Sequence, residues 1–224
     1  MTAEWNQLFN DPVNIIRDPD PLVRNFAEAA NKSGFVLDFG CGGGRHLVYL
    51  TKAGFKVTGV DVSKNGLNSS KDWLKSEGLK ADLVQLEMSD LPLRDSSISG
   101  AISINVLQHA LLRKCKTIVQ GIRWVLKPGS PFFFVIIGRE DARYGEGDEI
   151  EPHTFVHHEG IEAGVVHHYY NRTDLEFLLQ NYSNYEIEER RRPYDDSHPV
   201  FGKDPRLINR DNAVLQHWIV KAWR

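Results

Sequence analysis

The chain has 224 residues, 41% hydrophobic and 25% charged, with a formal net charge of −3 and a pI near 6.3. That balance suits one globular domain with a continuous core, offers no general attraction to polyanions and so argues against a dedicated nucleic-acid binder, and includes no run approaching the roughly 20 apolar residues of a membrane span. The opening MTAEWNQLFNDPVNIIRDPDP mixes acids, prolines and polar breaks where a secretory signal needs a basic start and an apolar run. Cys41 and Cys115 are too few for a disulfide framework and too far apart for a metal knuckle, so a reducing cytoplasm is the expected compartment.

Asp20-Pro21 places a capping acid before a first-turn proline, and Leu22, Val23, Phe26, Ala27 and Ala30 follow on one helical face, predicting an amphipathic helix that ends near Gly34. Phe35 to Phe39, short, apolar and followed by glycines, reads as a buried strand. A helix from Leu47 to Gly54 and a strand from Lys56 to Val60, ended by Asp61, complete a βαβ unit. Ser63 caps the next predicted helix, which runs to Gly78, and strands follow over Asp82 to Leu86 and Ile98 to Ile104. A helix through Ile118, Ile122 and Val125 stops at Lys127-Pro128-Gly129, before the very apolar strand Phe132 to Ile137. Gly138 to Asn171 is rich in glycine, histidine and charge without a sustained apolar period, which predicts a long excursion serving as a lid or binding loop. Thr173-x-x-Glu176 reads as a capping box, Tyr185, Ile187 and Glu189 as a strand, Arg190 to Arg210 as an irregular segment, and Asn212 to Lys221 as a strand able to pair with the preceding one in a hairpin. Alternating strands and helices predict an α/β fold, a three-layer doubly wound, mostly parallel sheet closed by a C-terminal antiparallel hairpin. One domain over 1–224 is expected: an arm (1–20), a core (21–137), the excursion (138–171) and a terminal helix with hairpin (172–224).

In such sheets ligands bind beyond the carboxyl ends of the strands. Asp38-Phe39-Gly40-Cys41-Gly42-Gly43-Gly44 stands at such an end, where glycines let the chain turn tightly and a ligand approach the backbone. A dinucleotide fingerprint needs glycine where Arg45 stands, which weakens a pyrophosphate reading. Asp61 ends the second strand, where a carboxylate accepts hydrogen bonds from both hydroxyls of a ribose. A flexible turn and a helix-start acid are the alternatives at these two places.

VLDFGCGGGRH, GVDVS, EMSDLPLRDSSIS, SINVLQHA and RWVLKPG, in this order from Phe35 to Gly138, resemble the successive motifs of class I S-adenosylmethionine-dependent methyltransferases, in particular the small-molecule branch called methyltransferase type 11. The Gly-Arg after the glycines is also similar to tellurite-resistance and thiol methyltransferases. The resemblance implies a Rossmann-like methyltransferase fold with S-adenosyl-L-methionine as cofactor. It implies that Asp38 and the backbone of Gly40, Gly42 and Gly44 surround the amino-acid end of that cofactor, that Asp61 holds the ribose, that Glu87 and Met88 flank the adenine, and that Asn105 lines the methionine end. Gly43 stands where many relatives carry serine or threonine, and Glu87 where many carry aspartate.

Methyl transfer from a sulfonium asks mainly for placement and exclusion of water. Where the acceptor must lose a proton, a histidine suits. His153, His157, His158, His167 and His168 cluster in the excursion, with His157 and His167 the candidates for catalysis. Polar solvent-facing or cross-strand histidines, a general base or substrate orienter, and a metal site are the three readings of that cluster. No catalytic metal is expected, because no helical His-x-x-x-His spacing or cysteine partner supports a specific site. His109, just after Asn105, is placed by the resemblance beside the transfer centre, with a structural hydrogen bond as its alternative. Trp5, Phe9 and Ile15 belong to an arm that either folds over the cofactor or packs on the sheet edge. Arg190-Arg191-Arg192 reads as a solvated edge that discourages strand pairing, ahead of a grip for an anionic acceptor. The expected partner is a small-molecule acceptor. The rivals are a protein or RNA methyltransferase, for which no extended basic surface is evident, a nicotinamide oxidoreductase, against which Arg45 argues, and a non-catalytic adenosine-ligand binder.

Overall fold

The structure is a computed structural model describing residues 2–88, 94–195, 204, 206–207, 210 and 212–224. Ser89 to Leu93 of the third motif and most of the irregular stretch before Arg210 therefore lie outside the described residues.

Helix α1 (Thr2–Leu8) opens the chain and a short 3-10 turn, Pro12–Asn14, follows. The arm is thus partly helical. Helix α2 (Pro21–Ala29) starts where the side chain of Asp20 accepts from the Leu22 amide at 2.9 Å, and buries Leu22, Val23 and Phe26. It stops at Ala30, whose extended backbone ends the helix before the expected Gly34. Then come β1 (Phe35–Phe39), α3 (Arg45–Lys52), β2 (Lys56–Asp61), α4 (Lys64–Ser76), β3 (Asp82–Gln85) and β4 (Gly100–Ile104). Ser63 caps α4 as expected, accepting from the Gly66 amide at 3.1 Å. Helix α5 (Leu112–Val125) leads to β5 (Pro131–Ile137), all seven residues of which are buried.

The main sheet has the order β3-β2-β1-β4-β5 and continues with β10 (Val214–Trp223) and β9 (Asn184–Pro193). The first five strands pair in parallel, and β10 lies antiparallel to both β5 and β9. This is the mostly parallel, Rossmann-like sheet with a terminal hairpin that the sequence predicts. Strand β9 runs on through Arg190 to Pro193, residues expected to be irregular, because each is paired in register with β10. The arginines stand on an edge strand: Arg190 pairs with Asp20 at 3.0 Å, and Arg191 with Glu140 and Glu189.

Apolar residues cover both faces of the sheet. Leu22, Phe26, Leu47, Leu50 and Leu74 pack on one face, and Ile118, Val119, Ile122, Leu175 and Leu178 on the other. The strand order reverses between β1 and β4, so the crossovers diverge there and leave a crevice beyond the carboxyl end of β1.

The excursion has a sheet of its own, β6 (Asp148–Glu151), β7 (Thr154–Val156) and β8 (Val166–His168), antiparallel throughout. Its strands are three or four residues long, too short for a periodic signal in the sequence. Helix α6 (Arg172–Leu179) follows. Its capping box is Asn171 with Asp174, each side chain accepting from the other's amide at 2.9 Å, and not Thr173 with Glu176. The extended backbone of Asn171, with φ −109° and ψ 179°, already marks the helix boundary, which places Thr173 within the first turn. Among the described residues no helix is long and apolar enough to cross a membrane.

Candidate functional site

The loop after β1 is held by its backbone. The amides of Gly40 and Cys41 both donate to the carbonyl of Val60, at 2.8 and 3.0 Å. Asp61, at the end of β2, accepts from the Gly42 amide through Oδ2 and from the Ser63 amide through Oδ1, both at 2.8 Å. Gly42 has φ +48°, which a β-branched residue avoids, and a Cβ there would stand 2.7 Å from the Phe9 ring. One carboxylate therefore fixes both the glycine turn and the start of α4.

Above the loop is a cavity of about 180 Å3. Gly40 to Gly43, Arg45 and His46 form one wall; Asp61, Val62, Leu86, Glu87 and Met88 form the next; Asn105, Val106, His109, Ile161 and Glu162 close the far end. Trp5, Leu8, Phe9, Asn14, Ile15 and Ile16 of the arm roof it. The arm is fastened to α4: Asn6 Oδ1 accepts from the Ser63 hydroxyl at 3.0 Å and the Asn65 amide at 3.2 Å, and Asn65 Nδ2 donates to the Asn6 carbonyl and Asn10 Oδ1 at 2.9 and 2.7 Å. Of the two placements open in the sequence, the arm takes the one over the crevice.

Gly40, Gly42, Asp61, Glu87, Met88 and Asn105 thus meet at one cavity. Asp38 and Gly44 are not among its lining residues. Gly44 is the left-handed cap that starts α3, packed against Ser70. Asp38 lies buried in β1, both carboxylate oxygens without a hydrogen-bond partner; burial, and next the negative charge of Asp61, push it up to about 7 against the pull of Arg45. Burial also raises Asp61, opposed by the amides that it accepts from. Asn105 adopts φ +58°, and its Oδ1 is buried without a partner.

Of the three catalytic candidates, only His109 lines the cavity. Its Nδ1 stands 3.2 Å from the Val166 carbonyl, so Nδ1 carries the proton and Nε2 the lone pair. Burial, then the neighbouring His167, hold its pKa down to about 4, which keeps it neutral at pH 7. The edge of Trp5 packs on its ring at 4.7 Å. His167 lies behind it, its Nε2 2.9 Å from Glu162 Oε2. His157 stacks on His167 at 4.4 Å and bonds the Tyr169 hydroxyl at 3.0 Å, away from the cavity. Burial alone would raise Glu162, but the hydrogen bond and charge of His167 hold it at about 2. His168 is buried against Thr154, 2.6 Å from its hydroxyl, while His153 bonds Tyr144 and His158 pairs with exposed Asp148. The excursion histidines therefore divide into the cross-strand contact of His168, the outer pairs of His153 and His158, and the His157–His167 stack behind the cavity's far end. Glu162 escaped the sequence reading, as did His46, Leu8, Asn14 and Ile16; Glu162 lies in a glycine-flanked turn with no periodic or motif signal.

A family model described as a methyltransferase domain matches residues 36–129. The ubiquinone biosynthesis O-methyltransferase of Nitrosococcus oceani is 32% identical over 134 residues, 58% of this chain and 55% of that protein. The chain spans about half or less of the length of the first curated relatives that it matches. Among solved structures, a SAM-dependent methyltransferase of Methanosarcina mazei superposes with a TM-score of 0.69 at 24% identity, covering 92% of this chain and 98% of that one. The 1,6-didemethyltoxoflavin-N1-methyltransferase of Burkholderia thailandensis, solved with S-adenosylhomocysteine, does so with a TM-score of 0.61 at 20% identity, covering 91% of this chain and 78% of that one. At these identities the two structures establish the fold. Residues 36–129 thus match a methyltransferase domain, and the motif order and the sheet order agree with the class I, S-adenosylmethionine-dependent methyltransferases.

Proposed function

We propose that the chain transfers a methyl group from S-adenosylmethionine to a small-molecule acceptor by in-line displacement inside the roofed cavity. The observation that carries this reading is the continuity of one cavity from the glycine loop and Asp61 to His109 and Glu162 beneath the arm. Its walls fit the cofactor: a half-buried acid at the end of β2 for a ribose, half-buried Arg45 for a carboxylate, Glu87 and Met88 for an adenine edge and face, and the unpartnered Asn105 oxygen for an ammonium or hydroxyl donor. The bound sulfonium supplies an already activated methyl group. The chain has to exclude water, which the apolar arm does, and to hold the acceptor's nucleophilic atom in line at the His109 end.

Isothermal titration of the full chain with S-adenosylmethionine and S-adenosylhomocysteine tests this, after heat release and mass spectrometry of any copurified ligand. Micromolar binding of both is expected, and Asp61→Ala weakens it by about 2 to 4 kcal/mol, because two hydrogen bonds to a half-buried carboxylate are lost. Binding of neither ligand overturns the reading.

A further inference from the structure

His109, Glu162 and His167 each offer one ligand atom, and these atoms lie within 4.8 Å of one another. They converge from three places: the turn after β4, the turn before β8, and β8 itself. Both imidazoles are aimed by the same device. His109 Nδ1 faces the Val166 carbonyl at 3.2 Å and His167 Nδ1 faces the Val165 carbonyl at 3.0 Å. A carbonyl only accepts, so each Nδ1 carries a proton and the Nε2 of each ring stands on its other side. His167 Nε2 meets Glu162 Oε2 at 2.9 Å, and His109 Nε2 is buried without a hydrogen-bond partner. Three possible ligand atoms thus face one another in the interior, where a polar atom left without a partner is costly. A proton on His167 answers Glu162 and leaves His109 Nε2 unsatisfied; a cation between the three answers all of them.

We propose that His109, Glu162 and His167 form a binding site for a first-row divalent cation of the zinc class, with its open coordination position turned into the cavity. Two imidazoles and one carboxylate are a ligand set of catalytic zinc, whereas magnesium and calcium favour shells of oxygen. A ring whose Nδ1–H is fixed on a backbone carbonyl has the outer support typical of a metal-binding histidine. The rings are held further by Trp5 on His109 and by His157 stacked on His167 at 4.4 Å. Bonds of about 2.0–2.2 Å to a tetrahedral ion set ligand atoms about 3.3 Å apart, so the shell closes with side-chain shifts of roughly an ångström. His109 and Glu162 line the cavity and His167 stands behind them, which leaves the remaining position to an oxygen or nitrogen of whatever occupies that end. Only this last role, polarising the acceptor atom, rests on the proposed methyl transfer.

The test uses the untagged full chain, stripped with a chelator and titrated with Co2+, then Zn2+, while S-adenosylhomocysteine binding is measured on the same samples. One equivalent of Co2+ is expected, with the visible bands of a four- or five-coordinate nitrogen–oxygen site and displacement by Zn2+. Glu162→Gln and His109→Asn should each weaken Co2+ at least about tenfold, and His158→Ala, at the exposed pair with Asp148, should leave it unchanged. A chain that binds S-adenosylhomocysteine but no Co2+ overturns the metal site and leaves the methyltransferase reading standing. Equal Co2+ binding by the wild type and both ligand variants overturns it as well. Stoichiometric Co2+ without S-adenosylhomocysteine supports the metal site and sinks the cofactor assignment.

Discussion

At the cofactor end of the cavity the geometry is carried by the backbone: a carbonyl of β2 holds two amides of the glycine loop, one carboxylate holds two more, and all of these groups lie within residues 38–63. At the opposite end it is carried by side chains drawn from residues 5–167, through packed rings and a histidine–glutamate pair. A backbone-built site fails when a residue cannot adopt the required φ or when its single pinning group is removed. A site built from buried titratable side chains fails when protons are added, because the geometry and the charge state are the same thing.

The largest effect should come from breaking the backbone-built end. Gly42→Val places a branched side chain at φ +48° and against Phe9, and calorimetry should show S-adenosylmethionine binding weakened by at least about a hundredfold while far-ultraviolet circular dichroism is retained. Retained affinity would mean that the loop is not the cradle.

Acid should break the other end. Burial holds His109, His168 and His217 each down to about 4 from an ordinary 6.5. The unfolded chain therefore takes up these protons first, so the contribution of the neutral rings is intact above about pH 6.5 and is lost as pH falls towards 4. Asp38, raised to about 7, works in the opposite sense over nearly the same window. Buried His46, also held down, adds to the histidines, and Asp61, also raised by burial, adds to Asp38; the buried histidines set the direction, a loss of stability in acid. The urea midpoint of the ligand-free chain should drop from pH 6.5 to 4, and His217→Gln should flatten that drop. A midpoint independent of pH would contradict the burial of these rings.

The smallest effect separates the observed helix start from the expected one. Asn171→Ala removes half of the capping box and should cost about 1 kcal/mol in urea unfolding. Thr173→Ala should cost no more than a few tenths, as should Glu176→Ala, which loses only an exposed pair with Arg172. Reversal of that order would restore the box to Thr173 and Glu176.

The cofactor half was legible because its determinants are local. An apolar run followed by glycines names β1 and its loop, and an acid at the end of the next run names Asp61, with no long-range information needed. The terminal hairpin was legible from the alternation of Tyr185, Ile187 and Glu189 and from the β-rich run Asn212 to Lys221. The excursion was not, because a three-residue strand has no period and Glu162 acquires its meaning only from the histidine that a fold of the chain brings to it. Asp38 shows the converse: the motif names the residue, yet the structure keeps its carboxylate beneath the loop instead of in the cavity wall. The two possible capping boxes fit the same pattern of residue types, and only the extended backbone at Asn171 decides between them.

The strand order also has a consequence for how the molecule is made. Strand β10 lies between β5 and β9, so one edge of β5 stays unpaired until residues 214–223 have left the ribosome. At about 5–20 residues per second that takes several seconds, during which Pro-Phe-Phe-Phe-Val-Ile-Ile, fully buried in the finished sheet, is an open, strongly β-prone template. Nascent chains and products cut short of β10 are therefore the species that aggregate or engage chaperones, and loss of the last strand harms the yield of folded protein more than loss of the arm that roofs the cavity.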